Sequence, residues 1–205
     1  MRTRPAPRPA RPRWRAPLER MWWATLLLAG AICFVTFYAK GGLNPESSAV
    51  AITEIALTLV SAAVVVCAAL FAPAERVSRA SRPLYGAWPM ALLLALTALT
   101  ALSVVWSVQP DESFREAGRM LAYSGVFAAA ITLARVAPAR WPAVIGGVTL
   151  AAVIVCSYAL ATKVFPGQLD AHDQYARLRA PFGYWNATGL MAALGVIGCM
   201  WLGAR

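Results

Sequence analysis

Charge and metal-ligating side chains are scarce in this 205-residue chain: 14% of residues are charged, histidine occurs once, and the four cysteines include no C-x-x-C pair. A soluble domain of this length needs more polar surface than that. His172 has no second histidine or cysteine nearby with which to share a metal, so no metal site is expected and the residue reads as a solvated loop histidine. Asp170 and Asp173 beside it leave a proton-carrying or anion-contacting role open, although neither carboxylate has an evident geometry for acid/base work. Cys33, Cys67, Cys156 and Cys199 all fall within apolar runs, where a thiol behaves as a small apolar group. No disulfide framework and no cofactor is implied. Acids are few as well, 9 against 19 cations, for a net charge of +10. Most of those cations flank apolar runs, where membrane topology accounts for them, so nucleic acid is not an expected partner.

What is abundant is apolar: 60% hydrophobic residues and a mean hydropathy of +0.58 predict an all-α, polytopic membrane protein. Runs near Met21–Ala39, Ala49–Phe71, Ala87–Trp106, Ala117–Ala134, Trp141–Thr162 and Phe182–Leu202 each approach the ~20 residues that span a hydrocarbon core. This predicts about six transmembrane helices within a domain over 21–205. The fourth run is the weakest, with Arg119 and Tyr123 in its first turns, and five spans with one re-entrant segment is the alternative count. Residues 1–20, rich in Arg and Pro and poor in large aliphatics, read as a disordered or polyproline-like basic tail drawn to anionic membrane lipid. The run from Met21 is longer than a signal-peptide core and lacks a clean small-x-small site after it, so it reads as a retained anchor.

If the loops alternate sides, one side holds thirteen of the nineteen cations: Arg2, Arg4, Arg8, Arg11, Arg13, Arg15, Arg20, Arg76, Arg79, Arg82, Arg135, Arg140 and Arg205. That side is the expected cytoplasmic one, with both termini inside and the plasma membrane as location. Seven of the nine acids fall on the other side. A five-span count would put Arg135 and Arg140 outside and weaken the asymmetry, which favours six.

Two outer loops stand out. In the first, Trp106 suits the headgroup layer, Pro110 ends one helix, and Asp111 or Ser113 is placed to cap the next. Asp111 with Arg115 (i,i+4) and Glu116 with Arg119 (i,i+3) can pair along that helix, while Arg119, the deepest, is placed to face the bundle interior. The second, Lys163 to Pro181, is long for a membrane hairpin, which often means an ordered element. It leads into Arg177-Leu-Arg-Ala-Pro-Phe-Gly-Tyr-Trp-Asn186, two guanidinium groups beside an apolar span. Arginine at such depth needs water, a counter-charge or a phosphate. Tyr184 and Trp185 offer flat faces to a sugar or polyprenyl group, and Asn186 both a donor and an acceptor. The same residues also fit an aromatic belt with snorkelling arginines.

The string R-L-R-A-P-F-G-Y-W-N-A-T-G from Arg177 to Gly189, with the earlier turn Trp106-Ser-Val-Gln-Pro110, resembles the bacterial O-antigen ligase and polymerase family of membrane glycosyltransferases. Members carry R-L-S-x-P-x-G-Y-W-N-x-x-G or R-x-x-G-x-F-x-N-P-N at a helix start, and a tryptophan-serine-x-x-proline turn after an earlier helix. The likeness covers roughly Leu92 to Leu202. It implies the N-terminal half of a GT-C-like fold and an inverting, metal-independent transfer of glycan from a polyprenyl-diphosphate carrier to an acceptor sugar at the outer face of the membrane. Arg177 takes the place of the family's loop arginine, whose implied role is to hold the carrier diphosphate. Arg179 departs from the small residue usual there, Pro181 and Trp185 follow the Y-W-N variant, and Asn186 is expected to fix the loop against the helix start. The implied substrate-binding set is Arg177, Arg179, Tyr184, Trp185 and Asn186; catalytic residues are not assigned.

Family members continue beyond this helix with further spans and a large outer loop whose histidine and arginine activate the acceptor. His172 does not align with that histidine. The resemblance therefore implies an N-terminal portion, from a truncated gene, a split gene or an incomplete sequence. Such a portion is expected to be inactive alone and to take a second chain as partner if one supplies the other half. Two other functions remain open from the residues: a small-molecule or lipid transporter, for which no inverted repeat or polar midplane is evident, and a non-catalytic membrane subunit packing through its many small residues.

Overall fold

The computed structural model describes residues 22–42, 47–71, 86–169 and 177–204, and among them all regular structure is helical. The helices are α1 (Trp22–Tyr38), α2 (Ser48–Phe71), α3 (Ala87–Ser103), α4 (Pro110–Val136), α5 (Trp141–Val164), the single turn α6 (Pro166–Leu169) and α7 (Trp185–Gly203). Turns of 3-10 helix occupy Lys40–Gly42, Val104–Trp106 and Pro138–Arg140. The basic tail, Arg76, Arg79 and Arg82, and the stretch with Asp170, His172, Asp173 and Tyr175 lie outside the described residues.

Five helical stretches, ending with α7 and including α3 and α5 with their adjoining 3-10 turns, are long and apolar enough to cross a membrane. The chain is thus an all-α protein suited to insertion in a bilayer. The fourth run, expected to be marginal, is a continuous 27-residue helix. Pro110 begins it, because a first-turn proline loses no hydrogen bond there, and Asp111 and Glu112 follow where the helix dipole favours acids. The short apolar helix is instead α1, whose 17 residues reach about 26 Å at 1.5 Å per residue.

The long helices pack in two trios, α4 against α2 and α3, and α5 against α1 and α7. Small side chains set the second trio. Gly147, Ala151, Ala152, Val155 and Ala159 of α5 are buried or nearly so, and a Cβ on Gly195 of α7 would lie 3.1 Å from that of Ala152. At Gly198 an added Cβ would overlap the side chain of Thr149, whose hydroxyl donates to the Ile145 carbonyl at 2.8 Å. Thr149 cannot turn away without losing that bond. Gly198→Ala is therefore expected to destabilise the protein by about 1–3 kcal/mol, read as a lower thermal midpoint of the detergent-purified chain; an unchanged midpoint would contradict the packing.

In the other trio, Thr97 of α3 and Ser124 of α4 share a buried hydrogen bond of 2.7 Å, and Ser61 of α2 sits against Gly125. Lone threonines within the spans donate back to their own helix, as Thr53 does to Ala49 and Thr132 to Ala128, which keeps a hydroxyl satisfied in an apolar setting.

Neighbour pairs fix helix directions. Thr25 and Leu28 of α1 meet Gly146 and Gly147 of α5, and Phe37 further along α1 meets Tyr158, so these two helices run parallel. Thr97 with Ser124 and Gly86 with Ile131 make α3 and α4 antiparallel; Thr149 with Gly198 and Ala152 with Gly195 do the same for α5 and α7. Glu54 with Arg119 and Ser61 with Gly125 make α2 and α4 parallel. Each relation is the one that helices alternating in direction along the chain require. At one end the Arg140 guanidinium lies 5.5 Å from the Trp23 ring centre, and Trp141 meets Trp201 edge-on. The candidate loop is at the other.

Candidate functional site

The loop before α7 is held by its own side chains. Arg177 places its guanidinium carbon 4.0 Å from the centre of the Trp185 ring, closing the neck of the loop. Inside that neck the Gly183 N–H donates to the Arg179 carbonyl at 2.6 Å, and Arg179 Nε donates to the Gly183 carbonyl at 3.2 Å. Gly183, at φ 77°, supplies the left-handed residue this reversal needs, and the Ala180–Pro181 peptide is cis. Tyr184 and Trp185 lie with ring centres 5.6 Å apart and planes tilted by 31°. Asn186 Nδ2 donates to the Tyr184 hydroxyl at 2.7 Å.

All five residues predicted for the site thus lie in one continuous, exposed or half-exposed cluster at the start of α7, but they divide the work differently from the sequence expectation. One face of Trp185 is covered by Arg177, leaving less indole to receive a sugar. Arg179 and Asn186 bond within the loop. Arg177 makes no hydrogen bond or ion pair among the described residues, and its aromatic contact consumes none of its N–H donors.

The two arginines at the start of α4 are paired with acids instead. Arg119 of α4 donates from Nε to Glu54 of α2 at 3.2 Å and from Nη1 to Glu116 at 2.7 Å. The Glu116 pairing is the expected one; Glu54 is a partner that periodicity along a single helix does not reveal. Arg115 pairs with Glu112 at 3.4 Å and not with Asp111, one turn being closed at i,i+3. Neither Asp111 nor Ser113 caps α4: the cap position is Gln109, without a side-chain bond. Ser113 instead donates to Ser107 Oγ at 2.6 Å, which also accepts from the Gln109 N–H at 3.1 Å, so Ser107 organises the turn after Trp106. Thr188, fourth in α7 and 4% exposed, has an Oγ1 with no partner among the described residues.

No protein-family model, no curated protein and no solved structure matches the chain.

Proposed function

We propose that the chain takes part in moving glycan from a polyprenyl-diphosphate carrier at the outer face of the plasma membrane, in the manner of the O-antigen ligases and polymerases it resembles, with Arg177 holding the diphosphate. The observation that carries this is the contrast between Arg177 and the two arginines at the start of α4. Arg115 and Arg119 are engaged by glutamates, whereas Arg177 rests on an indole and gives no N–H to any acceptor among the described residues. An aromatic face on one side of a guanidinium limits its contact with water, which strengthens a charge-assisted bond to phosphate. When the bond from sugar to carrier breaks, negative charge builds on the departing diphosphate, and a planar fork that takes two of its oxygens stabilises that charge. Tyr184 and the open face of Trp185 then suit the first sugar or the first prenyl units. The proposal has the motif end facing outward and both termini cytoplasmic, as the arginine distribution predicts.

Its test is binding by the purified chain in lipid nanodiscs of three probes with one long prenyl chain: the diphosphate, the monophosphate and the free alcohol. Affinity is expected to fall in that order, and equal retention of all three would refute the assignment.

A further inference from the structure

Among residues 177–186, Phe182 alone is buried, at 9% exposure, and what it packs against comes from the far end of the chain. Gly41, in the turn between α1 and α2, has φ 67° and is flanked by Lys40 at 48° and Gly42 at 78°. A Cβ on Gly41 would stand 2.5 Å from Phe182 Cδ1 and 2.7 Å from Cε1. Glycine is thus favoured there on two independent counts, the left-handed backbone and the space taken by the ring. We infer that Phe182 and Gly41 form a latch that sets the pose of the Arg177 loop. They are positioning residues for the diphosphate site, an inference that rests on the function proposed above.

The path from latch to site is short. Phe182 immediately precedes Gly183, which exchanges two hydrogen bonds with Arg179, so a ring pushed out of its seat moves both strands of the reversal. Two residues outward on either side lie Arg177 and Trp185, whose stack closes the neck. With the ring seated, the guanidinium is oriented before a ligand arrives and less ordering cost falls on binding. With the ring displaced, the same arginine is present but samples more poses. Nothing else among residues 177–184 is buried.

A double-mutant cycle tests this in the full chain. Cys33, Cys67, Cys156 and Cys199 are replaced by Ala, and Leu178→Cys provides one exposed thiol in the loop outside the binding set. The parent, Gly41→Ala, Phe182→Ala and the double variant are then compared by maleimide labelling rate at position 178 and by affinity for a long polyprenyl diphosphate, with Phe182→Leu as a conservative variant that keeps an apolar plug. Each alanine variant is expected to label faster and to bind about fivefold more weakly, the order expected when ordering of one side chain is moved onto the binding step. The double variant should be no worse than the weaker single one, because both changes break one contact, and Phe182→Leu should fall between parent and Phe182→Ala. Parent-like labelling and binding by Gly41→Ala, or effects that multiply in the double variant, would overturn the latch. If the parent binds no diphosphate, the proposed function fails, and the labelling cycle alone still decides whether Gly41 and Phe182 hold the loop.

Discussion

Arg119→Ala should lower the stability of the protein by about 3 kcal/mol, the cost of leaving one member of a largely buried ion pair alone. Arg119 and Glu54 keep only 20% and 22% of their side-chain surface exposed, and they join α2 to α4 although they lie 65 residues apart in sequence. Removing the guanidinium leaves the Glu54 carboxylate in the α2–α4 seam, flanked by Thr53 and Thr58, whose hydroxyls already donate to backbone carbonyls. Glu116 is more exposed and loses less, because water takes over its solvation. The sign of the pair effect is the sharper test: Glu54→Leu combined with Arg119→Met should be more stable than Arg119→Ala alone, since no charge is then stranded. Thermal midpoints in one detergent measure both. A midpoint unchanged by Arg119→Ala would mean that the bridge contributes nothing to holding α2 against α4.

Arg177→Ala should weaken binding of a polyprenyl diphosphate by roughly ten- to hundredfold, the range for losing hydrogen bonds to a charged group. Arg177→Lys should lie between, because it keeps the charge but gives up the planar fork and the close fit on Trp185. The loss should be smaller for the monophosphate, which offers the fork fewer oxygens. Equal affinities of wild type and Arg177→Ala, measured in nanodiscs at one ionic strength, would remove that arginine from the site.

Much of the helical layout is legible in the amino-acid order because a membrane span needs a long apolar run, and such runs are hard to hide. The expected spans agree with the helices to within a few residues at most ends. The clearest difference, α4 starting at Pro110 and not near Ala117, has a local cause: Pro110, Asp111 and Glu112 are good first-turn residues although they are not apolar. The motif residues were legible because they are contiguous. What periodicity could not supply were relations across the chain. Glu54 could be noted as an acid, but its union with Arg119 depends on how α2 meets α4. Nothing in the order of residues around Gly41 marks it as the seat of the Phe182 ring. The local pairings of Arg115 and Ser107 were within reach of sequence reasoning, yet i,i+3 and i,i+4 partners compete closely on one helix, and a serine bond across a turn leaves no periodic trace.

Because α7 rests chiefly on α5, a change in the angle between them would turn the helix about the glycine seam at Gly195 and Gly198 as a fulcrum. From Gly198 to Trp185 the arm is about 20 Å at 1.5 Å per residue. A pivot of about 5° at the fulcrum would swing the indole under Arg177 by nearly 2 Å, a displacement large enough to degrade a site that relies on placement. Lipid thickness, or a neighbour leaning on the outer side of α7, would thus reach the arginine with no contact to the loop at all.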